Sequence, residues 1–494
     1  MVVGLETHVQ VTSTATKAFC GCRVSYGDTP NTRVCPVCLG YPGSLPVLNA
    51  GVVDAAVKTG LALGCEVNLR SKFDRKQYFY ADLPKGYQIS QYDIPVCESG
   101  KVSLMWSEGE GGAVRSRDVG IERLHMEEDA GKSTHGVDAS TLDFNRAGVA
   151  LLEIVSKPDL RGGDEAAAYA AEMQRVVRYI GVGEASPQEG SLRCDVNVSV
   201  REVGSPTLGT KVEVKNLNSF AAIRLSVEHE AARQHALLAS GRGADIVQET
   251  RTWSEASLET VPMRSKEGLA DYRYFPEPDL PPCVLSADHV ERLRAGLPEL
   301  PDAKRRRYLD ELKLTPQDAL SLAGDTNTAK YYDEALASFP EGQDLPDVAK
   351  RCANWVLGDL AKECKERECK LDDLRLTPRF LAELVELIAK GTLSVKLARD
   401  ILPDLLEGAA DDAKRGPAAL VEARGLAQVS DAGELEAIVR SVIDANPQQL
   451  AQFLDGKTKL KGFFVGATLK ATQGKADPAL ANKLVDQILA EKSS

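Results

Sequence analysis

Four cysteines set the first chemical constraint. Cys20, Cys22, Cys35 and Cys38 form Cys-x-Cys, a twelve-residue gap and then Cys-x-x-Cys. Two thiolate pairs on tight turns can close a tetrahedral site of the kind zinc prefers, at about 2.3 Å per sulfur. Four thiolates leave no open position for water, so such a site is structural rather than catalytic. The alternative is four thiols that never meet. Eleven cysteines in a long chain are an odd number, which points to metal or thiol chemistry in a reducing compartment and away from a disulfide scaffold.

A set of carboxylates gives the second constraint. Glu6 stands with His8, Glu127, Glu128 and Asp129 share HMEEDAGK, and Glu153 lies inside VALLEIV. A carboxylate flanked by Leu151, Leu152, Ile154 and Val155 is costly to bury unless a cation or hydrogen bonds offset its desolvation. Carboxylates and one imidazole on adjacent strands would make a hard-metal site, suited to Mg2+ holding a nucleotide's phosphates. The competing reading is a lone glutamate at a sheet edge and a solvated acidic turn.

A third group could meet phosphate. KFDRKQYFYADLPKGYQ gathers Lys72, Arg75, Lys76 and Lys85 with Tyr78, Phe79, Tyr80 and Tyr87, combining cations for phosphate with flat rings for base stacking, as a terminal adenosine or ATP requires. An ordinary hairpin with aromatics in the core would look similar. Near the C-terminus, Lys457, Lys459, Lys461, Lys470 and Lys475 form a basic stretch that suits either RNA phosphate or a solvated helix face, and Lys304 to Arg307 read the same way. DAGKST imitates the end of a phosphate-binding loop, but Met126 stands where that loop requires glycine. EGEGGA near Gly109 fits a hairpin tip, since no buried strand and helix frame it.

These residues must be positioned by more than one domain, because 494 residues suggest two to four. Hydrophobic content of 43% and charged content of 27% lie near globular averages, with no 18-residue apolar run, so a soluble protein without a membrane role is expected. A formal charge of -12 argues against a general nucleic-acid coat and leaves any RNA contact to local basic patches. From Val2 the sequence alternates, placing Val3, Leu5, Val9 and Val11 on one face and Glu6, His8 and Gln10 on the other. Leu192, Cys194, Val196, Val198 and Val200 alternate against Arg193, Asp195, Asn197, Ser199 and Arg201, and KVEVK repeats the pattern with Glu213 and Lys215. Neighbouring antiparallel strands are expected there. Asp164 is expected to cap a helix carrying Tyr169, Met173, Val176, Val177 and Ile180, ending at Gly181 and covering the apolar face. From about Asp288 the patterns turn helical, including Asn354 to Leu360, Pro378 to Lys390 and Asp431 to Ile443.

Taken in order, VGLETHVQV, CPVCLGYPGSLPVLN, FDRKQYFY, LPKGYQISQYD, HMEEDAGKSTH, NRAGVALLEIVS, QEGSLRCDVNVSVR, KVEVKNLNSF and DYRYFPEPDLP make the chain resemble the B subunits of the glutamine-dependent aspartyl/glutamyl-tRNA amidotransferases. NWVLGD and GKTKLKGFFVGATLK are similar to that family's helical tail, so the likeness spans essentially the whole chain. It implies an α+β fold: an antiparallel-sheet catalytic domain similar to glutamine synthetase over 1–285, with a zinc-binding insertion at 20–38. A helical linker over 286–343 and a helical tail over 344–494 that engages tRNA would follow.

The resemblance also implies chemistry. ATP would phosphorylate the side-chain carboxyl of glutamate on the glutamine tRNA, or aspartate on the asparagine tRNA, and ammonia would displace the phosphate. His8, Glu128 and Glu153 match the family's magnesium positions, with Glu6 beside them. Arg193, Asp195 and Lys215 are further catalytic candidates from the polar faces of neighbouring strands, and Lys72, Arg75, Lys76, Tyr80 and Lys85 are nucleotide-binding candidates. The four cysteines match the zinc-bearing members. No glutaminase is recognisable in the chain, so the family's amidase, its A subunit, is expected to supply ammonia, with the small C subunit bridging the two. Lys157, Ala81 and Ala467 depart from the family's usual residues without removing a proposed ligand. Sorting among compartments, ETHVQ, TKAFC and EGLADYRYF favour an organelle, mitochondrion or chloroplast, with a removed transit peptide, over bacterial cytoplasm. Two other classes fit parts of the pattern: a zinc-ribbon RNA-binding protein without activity, and a free-standing ligase that acts on a small carboxylic acid without tRNA.

Overall fold

A computed structural model of the chain describes residues 1–109, 111–263, 271–408, 411–426, 432–472, 475–476 and 478–493. It divides into two compact units, residues 1–305 and 306–494.

Alternating sequence becomes a nine-stranded sheet in the first unit. In chain order its strands are β1 (Val2–Gln10), β2 (Glu66–Val67), β3 (Cys97–Ser107), β4 (Val114–Glu128), β5 (Ala150–Ser156), β6 (Leu192–Ser199), β7 (Val212–Leu217), β8 (Thr250–Ser254) and β9 (Glu259–Pro262). They lie in the order β9-β8-β7-β6-β1-β5-β4-β3-β2. Every adjacent pair is antiparallel except β7 and β8, which run parallel. β1 therefore sits at the centre, between β5 and β6.

The period of two separates the faces. Val3, Leu5, Val9, Leu124, Met126, Leu152, Ile154, Val196 and Val198 are at most 1% exposed and form one core with residues of three helices. These are α1 (Ala50–Ala62), α2 (Gly163–Tyr179) and α3 (Phe220–Ala239). From α2 come Tyr169, Met173, Val176 and Val177, all at helical spacing. Burying a large apolar side chain contributes roughly 1.5–3 kcal/mol, so this face fixes which way the alternate residues must point. Gly163 lets α2 approach α3, since a Cβ there would lie 2.4 Å from the Arg224 carbonyl oxygen. The expected cap at Asp164 is corrected by the structure: α2 starts at Gly163 without a side-chain cap, and Asp164 sits in the first turn, where its charge suits the helix dipole. The helix stops as expected at Gly181, whose φ of 66° favours glycine.

A small three-stranded sheet pairs Asp74–Gln77 with both Tyr87–Ser90 and Phe275–Pro276. EGEGGA does turn between β3 and β4, with Gly109 and Gly111 at positive φ; Glu110 lies outside the described residues. DAGKST enters a short hairpin, Lys132–His135 with Ser140–Asp143, rather than a helix.

Secondary structure in the second unit is helical. Thr326–Ala337, Leu345–Asn354, Pro378–Ala389 and Val395–Glu407 share a core that includes Tyr331, Tyr332, Leu376 and Leu384. Trp355–Leu360 forms a π-turn within that stretch. The helix expected from Asp431 spans Ala432–Asp444; Asp431 itself lies outside the described residues, as does EGLA within EGLADYRYF. With Lys461–Ala471 and Pro478–Ser493 it closes a separate core around Phe464 and Val485. Among the described residues no helix is long and apolar enough to cross a membrane.

Candidate active site

Because the apolar residues of β1 face the helices, Glu6, His8 and Gln10 must emerge on the opposite side. Register then assembles a polar row across four strands: His125 lies opposite Glu153, Glu153 opposite His8, and His8 opposite Arg193. One step along, Glu6 lies opposite Asp195. Glu127 shares the face of His125, two residues away on β4.

Two carboxylate groups result. In the first, His8 Nε2 lies 3.5 Å from Glu153 Oε2 and 3.8 Å from Glu127 Oε1. His125 Nε2 lies 3.2 Å from Glu153 Oε2. One ligand atom each from His8, Glu127 and Glu153 falls within 4.8 Å of the others. Glu6, Asp195 and Glu213 make a second such group. Glu127 Oε2 and His125 Nδ1 are buried without a hydrogen-bond partner. Burial opposes a charged His8, but the hydrogen bond and charge of Glu153, with Glu127 and Asp195, outweigh it and raise its pKa to about 9. Burial drives the Glu127 carboxyl upward, reinforced by the charge of Glu153. The cluster is short of positive charge, and its donor set of two carboxylates and an imidazole suits a divalent cation.

Lysines face these acids. Lys76 and Lys215 are held above the ordinary lysine range: burial pulls each down, but Glu127 and Glu153 prevail at Lys76, and Asp195 and Glu213 at Lys215. Lys215 Nζ donates to Asp195 at 2.6 Å and lies 3.1 Å from Glu213. The face opens into a cavity of about 530 Å³ whose walls include Lys76, Lys211, Lys215, Tyr92, Tyr272 and Tyr274. Tyr92 and Tyr274 stack at 4.3 Å. A second cavity of about 340 Å³ adjoins it and shares His8, Lys76, Asp195 and Lys215. Arg193 and Glu127 line the second.

The structure thus brings together Glu6, His8, Glu153, Arg193, Asp195, Lys215 and Lys76. It does not bring Glu128 to them. Glu128 follows Glu127 on a strand and points to the other side, where its Oε1 pairs with Lys85 and accepts from the Ile89 amide at 3.0 Å. Of the expected His8, Glu128 and Glu153 group, only His8 and Glu153 come together, and the carboxylate that joins them is that of Glu127. Of the five nucleotide candidates only Lys76 lines the cavities. Lys72 is 2.8 Å from both Asp74 and Asp93, and Arg75 chelates Glu277 at 2.8 and 2.9 Å and reaches Asp279. Lys85 is committed to Glu128, and Tyr80 is exposed outside both cavities. Arg305 is likewise no RNA contact: it is 1% exposed and grips Glu172 at 2.8 and 3.0 Å. Sequence reasoning misses His125, Lys211, Glu213, Tyr272 and Tyr274 as site residues; for His125 and Glu127 the alternation of LHMEED carries the signal.

The four cysteines converge. One Sγ from each of Cys20, Cys22, Cys35 and Cys38 lies within 4.8 Å of the others, and Cys35 and Cys38 are 3.9 Å apart. A tetrahedral Zn–S bond of about 2.3 Å implies sulfurs about 3.8 Å apart, so the cluster can bind a metal and is compatible with structural zinc.

A buried, charged cavity on one face of a sheet, walled by titratable groups with shifted pKa values, belongs to an enzyme. Residues 1–291 match the GatB/GatE catalytic domain and residues 339–489 the GatB domain. The chain is 53% identical over 491 residues to the chloroplastic/mitochondrial B subunit of the glutamyl-tRNA(Gln) amidotransferase of Sorghum bicolor, covering 99% of this chain and 86% of that protein. It is 52% identical over 495 residues to the B subunit of the aspartyl/glutamyl-tRNA(Asn/Gln) amidotransferase of Trichodesmium erythraeum, covering 99% and 97%. The chain belongs to the family of amidotransferase B subunits.

Proposed function

We propose that this chain phosphorylates the side-chain carboxyl of glutamate esterified to the glutamine tRNA, or of aspartate on the asparagine tRNA, and then amidates it. A carboxylate oxygen attacks the terminal phosphorus of ATP and ADP leaves; ammonia then attacks the acyl carbon, and phosphate leaves. His8, Glu127 and Glu153 would hold Mg2+, with Glu6, Asp195 and Glu213 offering a second acidic group. When bound, the cation would neutralise charge on the phosphates. Lys76 and Lys215 place fixed positive charge opposite these acids, where they orient an anionic acyl group and phosphate oxygens. Arg193, anchored 2.8 Å from Asp129, adds a guanidinium to the same wall. Tyr92, Tyr272 and Tyr274 in the cavity wall would limit water, which would otherwise hydrolyse an acyl phosphate.

The observation that carries this reading is Glu127 Oε2, buried without a hydrogen-bond partner beside a lysine-walled cavity, an acidic group arranged for a cation and an anionic substrate together. The likeness to B subunits supports the tRNA-borne substrate, partner subunits and a glutamine-synthetase-like sheet; the amidase A subunit would supply the ammonia and the small C subunit would bridge the two. On the same reading residues 1–285 are catalytic, 286–343 a linker and 344–494 a tRNA-engaging tail with no membrane contact; exposed Lys457, Lys459 and Lys470 suit RNA phosphate. The cysteine cluster would carry zinc. The plant relatives' names favour an organelle. The test combines the chain with its amidase and small bridging partners, labelled ATP and glutamyl-tRNA. Phosphate release that requires charged tRNA is expected. Release on a small carboxylic acid alone would indicate a free-standing ligase, and tRNA binding without any ATP cleavage an RNA-binding protein.

A further inference from the structure

A lysine is buried where the zinc reading of the cysteine cluster leaves excess negative charge. Lys17 is 0% exposed, and its Nζ donates to the Arg33 carbonyl at 2.8 Å, to Cys38 Sγ at 3.6 Å and to the Phe144 carbonyl at 3.4 Å. Four thiolates around Zn2+ carry a net charge of about -2, and an ammonium beside one sulfur offsets half of it where water cannot. The same lysine ties the insertion to the segment that re-enters the sheet. That tie is reinforced: the Asn31 amide donates to Asp143 at 3.0 Å, the Arg33 amide to Asn145 at 2.8 Å, and the Ala18 amide to the Gly148 carbonyl at 3.0 Å.

Two glycines carry the contact inward. A Cβ on Gly148 would lie 3.3 Å from Cys38 Cβ and 3.8 Å from Glu128 Oε2, so the backbone there is pressed between the cysteine cluster and Glu128. A Cβ on Gly40, two residues past Cys38, would lie 2.7 Å from Lys85 Cγ. Lys85 therefore packs against the turn just past Cys38, and Glu128 packs against Gly148, which in turn meets Cys38.

We propose that Lys17 is the outer-sphere partner of the four-cysteine zinc site, and that the metal-loaded insertion is a brace that seats Lys85 against Glu128. Lys17 is a positioning residue. The inference rests on the zinc reading of the cluster and is independent of the reaction proposed above.

The test uses the full chain and two readouts, zinc retention against a colorimetric chelator and amide hydrogen exchange. Lys17→Met is expected to release zinc at least tenfold faster, on the order of a lost outer-sphere contact. Stripping zinc from the wild-type chain, and Cys22→Ser, are expected to raise exchange at residues 82–90 and 128–149 while β6 stays protected. Lys17→Met that keeps wild-type zinc retention would overturn the role of Lys17. Zinc removal that leaves exchange at 82–90 and 128–149 unchanged would overturn the brace, and a zinc-supplemented chain that binds no zinc would overturn both.

Discussion

Glu127 and Glu128 are joined by one peptide bond, yet their carboxylates leave β4 on opposite sides of the sheet. Glu127 approaches His8 at 3.8 Å on the cavity side, whereas Glu128 is bound to Lys85 and the Ile89 amide on the other. Glu127→Gln is expected to reduce tRNA-dependent phosphate release on the order of a hundredfold, the size seen when one electrostatic element of a buried site is removed. Glu128→Gln should change it far less, because the cation cluster stays intact. Phosphate release by both variants, assayed side by side, decides it; equal losses would reverse the assignment.

Lys76 should affect two ligands with opposite sign. Its ammonium faces Glu127 and Glu153, so Lys76→Met makes the cluster more negative. Titration calorimetry should show tighter divalent-cation binding and nucleotide binding weaker by roughly tenfold, one charge-assisted contact. Parallel weakening of both would show that Lys76 acts only through packing.

The Arg305 and Glu172 pair is almost wholly buried. Glu172→Ala strands an arginine charge and is expected to cost about 3–5 kcal/mol in denaturant unfolding. Replacing both residues with Met and Leu should recover most of that loss. A double variant as unstable as the single one would rule out the stranded charge as the cause.

Glu230 supplies the acid-sensitive element. Burial would push its carboxyl up, but Arg233, Gln234 and Thr260 donate to it and hold it below its ordinary value of 4.5, with Arg251 also 3.5 Å away. A depressed folded-state pKa gives stability that is present above the unfolded value and lost as pH falls through the folded one. Below about pH 4.5 the wild type should therefore lose stability more steeply than Glu230→Gln, which should be the less stable of the two at pH 7. Thermal melts from acid to neutral pH would reveal parallel curves if the pairing were inconsequential.

Local periodicity makes much of the site legible. The alternation in β1 separates His8 from Val9, and the same rule puts Arg193, Asp195 and Lys215 on polar faces; pairing register then brings them together. That rule also places His125 with Glu127, whereas the positional likeness to the family points one residue further, to Glu128. Long-range partners are illegible. Arg75 looks free in FDRKQYFY because Glu277 and Asp279 are distant in sequence. Arg305 looks like a surface cation in KRRR because Glu172 precedes it by 133 residues. The parallel pairing of β7 with β8 is equally hidden, since strand alternation carries no direction.

With a two-residue period, β4 tolerates substitution far better than a change of length. Deleting Met126, with the register of Leu124 and His125 held, would send Glu128 into the cavity and turn Glu127 toward the helices, exchanging chemistry for core in one step. Directed evolution of this strand should accordingly yield point replacements and never a single-codon insertion or loss.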